Sequence, residues 1–286
     1  MLRSFGMTMS VMKESFLSLF QKEAEELGER GLHSILDAGR KWDVSGSLKE
    51  GGSVIFPHAF LRRCGEQIAA AVHGCLDSGT DQVLVLGVDH CLSPEKKEVR
   101  RWEFQGEDLS LNPFRGVFDR VEGEFSLLPF LILWNAEIRR RGGRSPRLVV
   151  RYPSFVNSSP ESLPGMEELE RLTRDSVVVA TGDLAHHGLA YRMNRDESLP
   201  MGNEAMEMAR GGILKGFRIL REGHYAAFLG HTYVIKSDGK DSLSTLRYLK
   251  GPQKATILDL KLVDTSGNFE GDVDPSWVAT ALVYLT

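Results

Sequence analysis

Apolar positions along the chain follow two different spacings. Residues 15–39 carry apolar side chains three and four positions apart and end in glycine, a pattern typical of an amphipathic helix. A glycine-rich break follows at 45–52, and beyond it short apolar runs alternate with stretches of helical spacing. This pattern predicts an N-terminal helical extension over residues 1–50 and an α/β domain over residues 51–286.

The short apolar runs of the second part are typical of buried strands. Several are apolar at consecutive positions ("VIF", "VLVL", "VVVA"), which indicates burial on both faces, as in a mainly parallel sheet. The alternation of strands and helices predicts a single α/β domain with a mainly parallel or mixed central sheet flanked by helices. Strands are predicted at 52–59, 81–90, 146–155, 176–183, 254–264 and 277–285, and helices at 61–79, 125–142, 164–175 and 203–222.

Histidines follow three of these predicted strands. His58 follows "SVIF", His90 follows "QVLVLG", and Asp183 follows "SVVVATG" together with the adjacent His186 and His187. In parallel sheets, functional groups gather beyond the carboxyl ends of the strands. We therefore expect these side chains to share one edge of the sheet, where imidazole and carboxylate groups can bind a metal ion or exchange protons.

A fourth histidine-bearing segment is the apolar stretch "YAAFLGHTYVI", which contains His231. It supplies a further candidate ligand. His33 and His73 lie inside predicted helices and are interpreted as surface or packing residues. For Asp183, capping of a following helix is an alternative role, because aspartate is a preferred N-cap residue.

Composition narrows the classes of function. The net charge of −4 and the scattered basic residues give no electrostatic footprint for nucleic acid. We expect no secretory signal, because no N-terminal stretch combines a charged start, an apolar run and a small-residue cleavage site. We expect no membrane partner, because no apolar run approaches the length of a bilayer span. The 3 cysteines form no CxxC pair, which favours a reducing cytoplasm. The expected partner is a small-molecule substrate, and a homodimer is left open.

Other catalytic motifs are missing from the sequence. It contains no GxSxG elbow, no P-loop and no GxGxxG after the first strand. Cys91 adjoins His90 and is a candidate thiol or soft ligand, which would favour copper or zinc. The basic cluster Arg139–Arg144 is interpreted as a solvated helix end. A site built from histidines and carboxylates is thus the leading hypothesis.

The histidine-bearing motifs, taken in order, resemble those of the Memo family, which shares its fold with the class III extradiol dioxygenases. The resemblance rests on "IFPHAFLRRCGEQIAAAV", "VLVLGVDH", "LLPFL", "VVVATGDLAHHGLAYR" and "WVATALVYLT", and it extends from Ser53 to the last residue. It implies a Memo-like or extradiol dioxygenase-like fold for the predicted α/β domain.

The resemblance also implies roles for single residues. His58 and His90 match two metal ligands of the family, and Asp183 matches the aspartate of its third motif. His186 matches a histidine that lies beside the metal and acts as acid and base in the dioxygenases. His231 matches the histidine of a Cys-Gly-x-His-Pro segment near the third ligand. The implied metal is Fe(II), with copper and zinc as alternatives.

The third ligand departs from the family pattern. It is a cysteine in Memo proteins and a glutamate in the dioxygenases, whereas "AAFLGHT" places Phe228 or Leu229 there, and neither can bind metal. The family's Glu-His-Ser-x-Glu motif is "VEGEFS" in this chain. The candidate third ligands are therefore His231, Glu122 and Glu124.

Three hypotheses for function follow. The leading one is a metal-dependent oxidoreductase, a non-haem Fe(II) dioxygenase-like enzyme in which His186 transfers a proton and Asp183 orients a neighbouring histidine. The second is a zinc-dependent hydrolase with His186 or His187 as the base. The third is a non-catalytic, Memo-like binding or scaffold protein whose metal site is incomplete.

Overall fold

The computed structural model describes residues 15–90, 116–121, 123–155 and 159–286. Its helices are α1 (Phe16–Gly39), α2 (Ser45–Lys49), α3 (Leu61–Asp77), α4 (Leu128–Arg140), α5 (Met166–Arg174), α6 (Asn203–Arg221), α7 (Tyr225–Ile235) and α8 (Lys240–Lys250). Its strands are β1 (Ser53–Phe56), β2 (Gln82–Leu86), β3 (Gly116–Phe118), β4 (Arg147–Ser154), β5 (Val177–Thr181), β6 (Ala185–Gly188), β7 (Ala255–Asp264) and β8 (Ser276–Leu285).

The strands form one mixed sheet in the order β3-β4-β2-β5-β1-β8-β6, with β7 pairing to β8. Its centre is parallel, since β4, β2, β5 and β1 run in the same direction. The other four strands pair antiparallel to their neighbours. The predicted α/β domain with a mixed central sheet flanked by helices is confirmed.

The central strands are buried on both faces because helices cover the sheet on each side. In β1, Val54 and Phe56 join a core with residues of α1, α3 and α4, whereas Ile55 joins a core with residues of α5, α6, α7 and α8. All three side chains are fully buried. This alternation explains why the sequence of β1 is apolar at consecutive positions instead of every second one.

The N-terminal helix α1 packs against the α/β unit. Its Phe20 and Leu36 are buried, and its Glu23 carboxylate accepts hydrogen bonds from the backbone N–H groups of Leu61 (2.7 Å) and Arg62 (2.9 Å). Those N–H groups lie at the start of α3, where a helix has no internal partners for them. Glu23 therefore supplies the cap that α3 lacks from its own N-cap residue, Phe60.

Two local predictions differ from the structure. The glycine-rich break at 45–52 contains the short helix α2, and the apolar segment that carries His231, for which no element was predicted, is the helix α7. The stretch after β5 is a strand of its own, β6, which pairs antiparallel with β8. Short apolar runs fit helices and strands equally well, and here tertiary packing decides between them. Across the described residues, none of the helices combines the length and apolar character needed to cross a bilayer.

Candidate metal centre

Three residues of the site follow the ends of three parallel strands. β5 lies between β1 and β2, so the carboxyl ends of the three strands are adjacent. His58 follows the end of β1, His90 follows β2, and Asp183 follows β5. The sheet topology thus places all three residues at one edge, which is where parallel sheets carry their functional groups.

Asp238 completes this group from the connection between α7 and α8. Its Oδ2 lies 3.1 Å from Nε2 of His58 and 3.3 Å from Nε2 of His90. For metal–ligand bonds of about 2.1 Å, neighbouring ligands of an octahedral ion are about 3.0 Å apart. The spacing of these three side chains therefore fits a shared ion, and their ligand atoms all lie within 4.8 Å of one another.

Hydrogen bonds fix the orientation of both imidazoles. Nδ1 of His58 lies 3.1 Å from Oγ1 of Thr181, whose hydroxyl already donates to the carbonyl of Phe56. Nδ1 of His90 lies 3.0 Å from the carboxylate of Glu124. Each Nδ1 has an acceptor for a proton, so a ring whose Nε2 binds a metal ion can stay neutral with its proton on Nδ1.

Glu124 forms a hydrogen bond with His90, and its own oxygen atoms are not among the converging ligand atoms. Its carboxylate accepts hydrogen bonds from the backbone N–H groups of His90 (2.6 Å), Phe125 (2.8 Å) and Ser126 (2.7 Å). Burial raises the pKa of Glu124, but these bonds and the His90 ring outweigh it and lower that pKa to about 2. Glu124 is therefore a fixed anion that holds the ring of His90. The alternative candidate Glu122 lies outside the described residues.

His186 and Asp183 border the same carboxylate. Nδ1 of His186 donates to the carbonyl oxygen of Lys236 (2.6 Å), so Nε2 of the neutral ring is unprotonated and lies 3.7 Å from Oδ2 of Asp238. Asp183 donates its backbone N–H to Oδ1 of Asp238 (2.9 Å), and its own carboxylate accepts the backbone N–H of His58 (3.3 Å). The sequence predicts that Asp183 orients a neighbouring histidine or caps a helix. In the structure it contacts His58 and caps no helix.

The site attracts positive charge. Burial lowers the pKa of His90, but hydrogen bonds to Asp238 and Glu124 outweigh it and raise that pKa to about 10. For His58, burial likewise lowers the pKa, and the charges of Asp183 and Asp238 more than compensate. Burial raises the pKa of Asp238, but the imidazoles hold it well below its ordinary value. In the absence of a metal ion, protons on the imidazoles balance the carboxylates, and a cation has to displace them.

A cavity of about 410 Å³ opens beside these groups. That volume is within the range of sites for small molecules. His58, His90, Asp183, His186 and Asp238 form its polar side, and the basic residues Arg192 and Lys236 also line it. The remaining wall is largely aromatic and includes Phe16, Phe20, Phe60, Phe125, Tyr191 and Phe269.

Two of the predicted site residues lie elsewhere. His187 points away from His186 because neighbouring residues of a strand alternate between faces. Its ring stacks on Trp277, with centroids 4.7 Å apart, and its Nε2 accepts the backbone N–H of Leu199. His231 lies in α7, and its Nε2 is 2.7 Å from the carbonyl oxygen of Gly212. Both rings have structural partners, so neither belongs to the candidate site.

The cysteines add no ligand within the described residues. Cys64 and Cys75 are buried, and burial raises the pKa of both thiols. Cys91 lies outside the described residues. In the predicted basic cluster, Arg140 and Arg141 both pair with the buried carboxylate of Glu137, so they stabilise the fold.

No protein-family model matches this chain, and no curated protein matches it either.

The signal for Asp238 in the sequence is "KSDGK", an acidic residue before glycine in a short polar connection. Such a stretch is also an ordinary turn. Only the fold distinguishes a metal-binding aspartate from an ordinary turn residue here, because it brings this connection to the edge where β1, β2 and β5 end.

Proposed function

We propose that this chain is a metal-dependent oxidoreductase of the non-haem Fe(II) dioxygenase type that acts on a small aromatic molecule. The observation that supports this most strongly is the convergence of Nε2 of His58, Nε2 of His90 and Oδ2 of Asp238 beside an aromatic cavity. Two histidines and one carboxylate on one side of an ion leave its other positions open, the arrangement typical of non-haem Fe(II) oxygenases.

Asp238 also strengthens the resemblance to the Memo family and the extradiol dioxygenases. Asp238 precedes Gly239, as the cysteine precedes the glycine in the family's Cys-Gly-x-His-Pro segment, and unlike Phe228 or Leu229 it can bind metal. A carboxylate then stands where Memo proteins have a thiolate and the dioxygenases have a glutamate. The scaffold hypothesis rested on a missing third ligand, and the position of Asp238 supports the enzyme hypothesis because its carboxylate can take that role.

The donor set suits iron. Imidazole nitrogen and carboxylate oxygen are accepted ligands of Fe(II), and within the described residues no cysteine lies at the site to favour a softer metal. His58, His90 and Asp238 would hold the ion, with Thr181 and Glu124 orienting the two rings. Bound iron supplies redox chemistry with O2 and open positions for a chelating substrate.

His186 is the proton acceptor of this proposal. Its Nδ1–H is fixed by the carbonyl of Lys236, so Nε2 is the free basic atom on the cavity side. A hydroxyl of a chelating substrate can pass its proton to that nitrogen. The carboxylates of Asp183 and Asp238 then stabilise the imidazolium that forms. Phe125, whose ring stacks on His90, excludes water from the metal ligand beside it.

The experiment is metal loading followed by oxygen uptake. Protein purified without oxygen is loaded with Fe(II), its metal content is measured, and O2 consumption is followed with 1,2-dihydroxybenzene as the probe. The proposal expects one iron per chain and uptake that requires the diol. Stoichiometric zinc without O2 uptake would instead favour the hydrolase hypothesis, and weak binding of iron, copper and zinc alike would contradict any metal enzyme.

A further inference from the structure

We infer that the outer face of α6 is a self-association surface, on which a second copy of this chain packs its own α6 in the antiparallel direction. The outer face is the side of α6 opposite the residues that pack into the core. Its exposed residues run from Glu204 to Arg218 at intervals of three and four positions, with Gly211 at the centre. The inference is independent of the metal centre and of the proposed function.

Exposed apolar side chains are concentrated on α6 and the neighbouring α7. Among the described residues, the large apolar side chains that are exposed all lie between positions 201 and 235: Met201, Met208, Leu214, Tyr233 and Val234. α7 packs beside α6, since Nε2 of His231 lies 2.7 Å from the carbonyl oxygen of Gly212, and α7 contains no aspartate, glutamate, lysine or arginine. Apolar side chains that gather on one part of a surface mark an interaction site, whereas scattered ones do not.

The charges of the outer face are self-complementary about Gly211. Glu207 and Lys215 lie four residues before and after Gly211. Glu204 and Arg218 lie seven residues before and after it. All four side chains are exposed, and none forms an ion pair with a side chain of the described residues. Two-fold symmetry brings the acidic half of one α6 against the basic half of the other, so a second copy supplies the partners that all four charges lack.

Gly211 lies where the two helices cross. Glycine inside a helix lowers its stability relative to alanine, and a Cβ atom at this position would have no neighbouring atom within 4 Å. Packing within the chain therefore does not require glycine here, whereas it lets a second helix approach closely. Met208 and Leu214 lie three residues before and after Gly211, so the same symmetry places each of them against the other in the partner copy.

The size of this surface predicts a weak dimer. The 19 residues of α6 span about 28 Å, and α6 and α7 together are about 20 Å wide. Two copies would then bury roughly 1,100 Å² in total, close to the lower limit of stable interfaces. We therefore expect a dissociation constant in the micromolar range, and it should rise with salt because the charge pairs stay near solvent.

The test is sedimentation of the full chain over a series of protein concentrations, which gives the dissociation constant of the dimer. Glu207→Lys places like charges opposite Lys215 of the second copy, and Lys215→Glu does the same opposite Glu207. Each variant alone should weaken the dimer by at least about tenfold. An equal mixture of the two variants should associate again, because each then supplies the charge that the other lacks at both contacts.

Matched variants separate association from folding. Glu25→Lys reverses an exposed charge on α1, outside the outer face of α6, and should leave the dissociation constant unchanged. Gly211→Gln adds a better helix former with a long side chain at the crossing point. It should raise the melting temperature of the dilute protein and weaken the dimer by at least about tenfold, two effects that a structural role of Gly211 within one chain does not combine.

Three results would overturn the inference. A chain that stays monomeric up to about 1 mM would assign the apolar surface to a different partner. A dimer whose dissociation constant is unchanged in both charge variants would place the contact on another surface. Variants that keep the melting temperature of the unmodified chain but fail to associate when mixed would contradict the antiparallel pairing. None of these results bears on metal binding, so the proposed function is tested separately.

Discussion

Oδ2 of Asp238 lies 3.1 Å from Nε2 of His58, although 180 residues separate the two in the sequence. The carboxylate is held in place through its other oxygen, which accepts the backbone N–H of Asp183. The backbone N–H of Asp183, after the end of β5, thus orients the Asp238 carboxylate toward His58, which follows β1. The structure of the sheet edge determines the geometry of the candidate metal centre.

Asp238→Asn should abolish stoichiometric metal binding. Asparagine keeps the size of the side chain but removes the negative charge that draws the ion to His58 and His90. Affinity should fall by more than about a hundredfold, the upper end for residues that only orient a ligand. Metal content after dialysis measures this. Asp241→Asn, a nearby buried aspartate outside the cavity lining, is the control and should retain its metal.

Glu124→Gln should weaken metal binding without abolishing it. The amide can still accept a hydrogen bond from Nδ1 of His90, but it loses the charge that favours this orientation of the ring. Loss of such an outer partner lowers metal affinity by about tenfold to a hundredfold. Competition with a chelator gives the dissociation constant. An unchanged constant would show that His90 is positioned without Glu124, through its stacking on Phe125 and its contact with Asp238.

The metal-free protein should lose stability as the pH rises above neutrality. The pKa of His90 is about 10 in the folded protein against an ordinary value of 6.5. A raised folded-state pKa contributes stability that is fully present below about pH 6.5 and is lost as the pH rises through about 10. Urea unfolding with a chelator present, at several pH values between 6 and 10, measures the slope. His90→Gln should flatten it, and parallel curves would contradict this account.

His186→Gln should slow turnover while the metal stays bound. Removing a positioned base costs about two to four orders of magnitude in rate, and the pH–rate profile should lose the limb that this base contributes. His187→Gln is the neighbouring control. It should lower the free energy of unfolding by about 1–2 kcal/mol through the lost stacking and hydrogen bond, yet keep turnover per folded molecule. Equal losses of turnover in both variants would contradict the assignment.

Glu23→Ala should destabilise the fold through the start of α3. Two backbone N–H groups there lose the carboxylate that caps them, which costs about 1–2 kcal/mol. Glu26→Ala removes an exposed pair with Arg62 from the same helix and should cost less than about 1 kcal/mol. Chemical unfolding distinguishes the two. Equal effects would show that the cap contributes no more than a surface ion pair.

The sequence alone was sufficient for the parts that depend on periodicity. Runs such as that of β1 are apolar at consecutive positions, so their burial on both faces and the α/β class follow directly. The carboxyl ends of parallel strands meet at one edge, so the approach of His58, His90 and Asp183 could also be predicted. None of these conclusions needed information about residues far apart in the sequence.

The remaining part depends on tertiary contacts that no local pattern contains. Asp238 lies in a connection that reads as an ordinary turn, and its distance from β1 is set by the packing of α7 and α8. His231 was a candidate because it lies in a histidine-bearing apolar segment and matches a histidine of the family, but in α7 it faces the carbonyl of Gly212. His187 was a candidate through its neighbour His186, and the alternation of β6 separates the two.

The position of β8 has a consequence for synthesis. This strand spans residues 276–285, yet it lies inside the sheet and pairs with β1, β6 and β7. While the ribosome is still translating the residues before it, β1 has an open edge and β6 has no strand to pair with. A nascent chain can form the α3 and α4 side early, but the sheet closes only after the β8 residues emerge. Until then the exposed edge of β1 is a surface on which a chaperone can act.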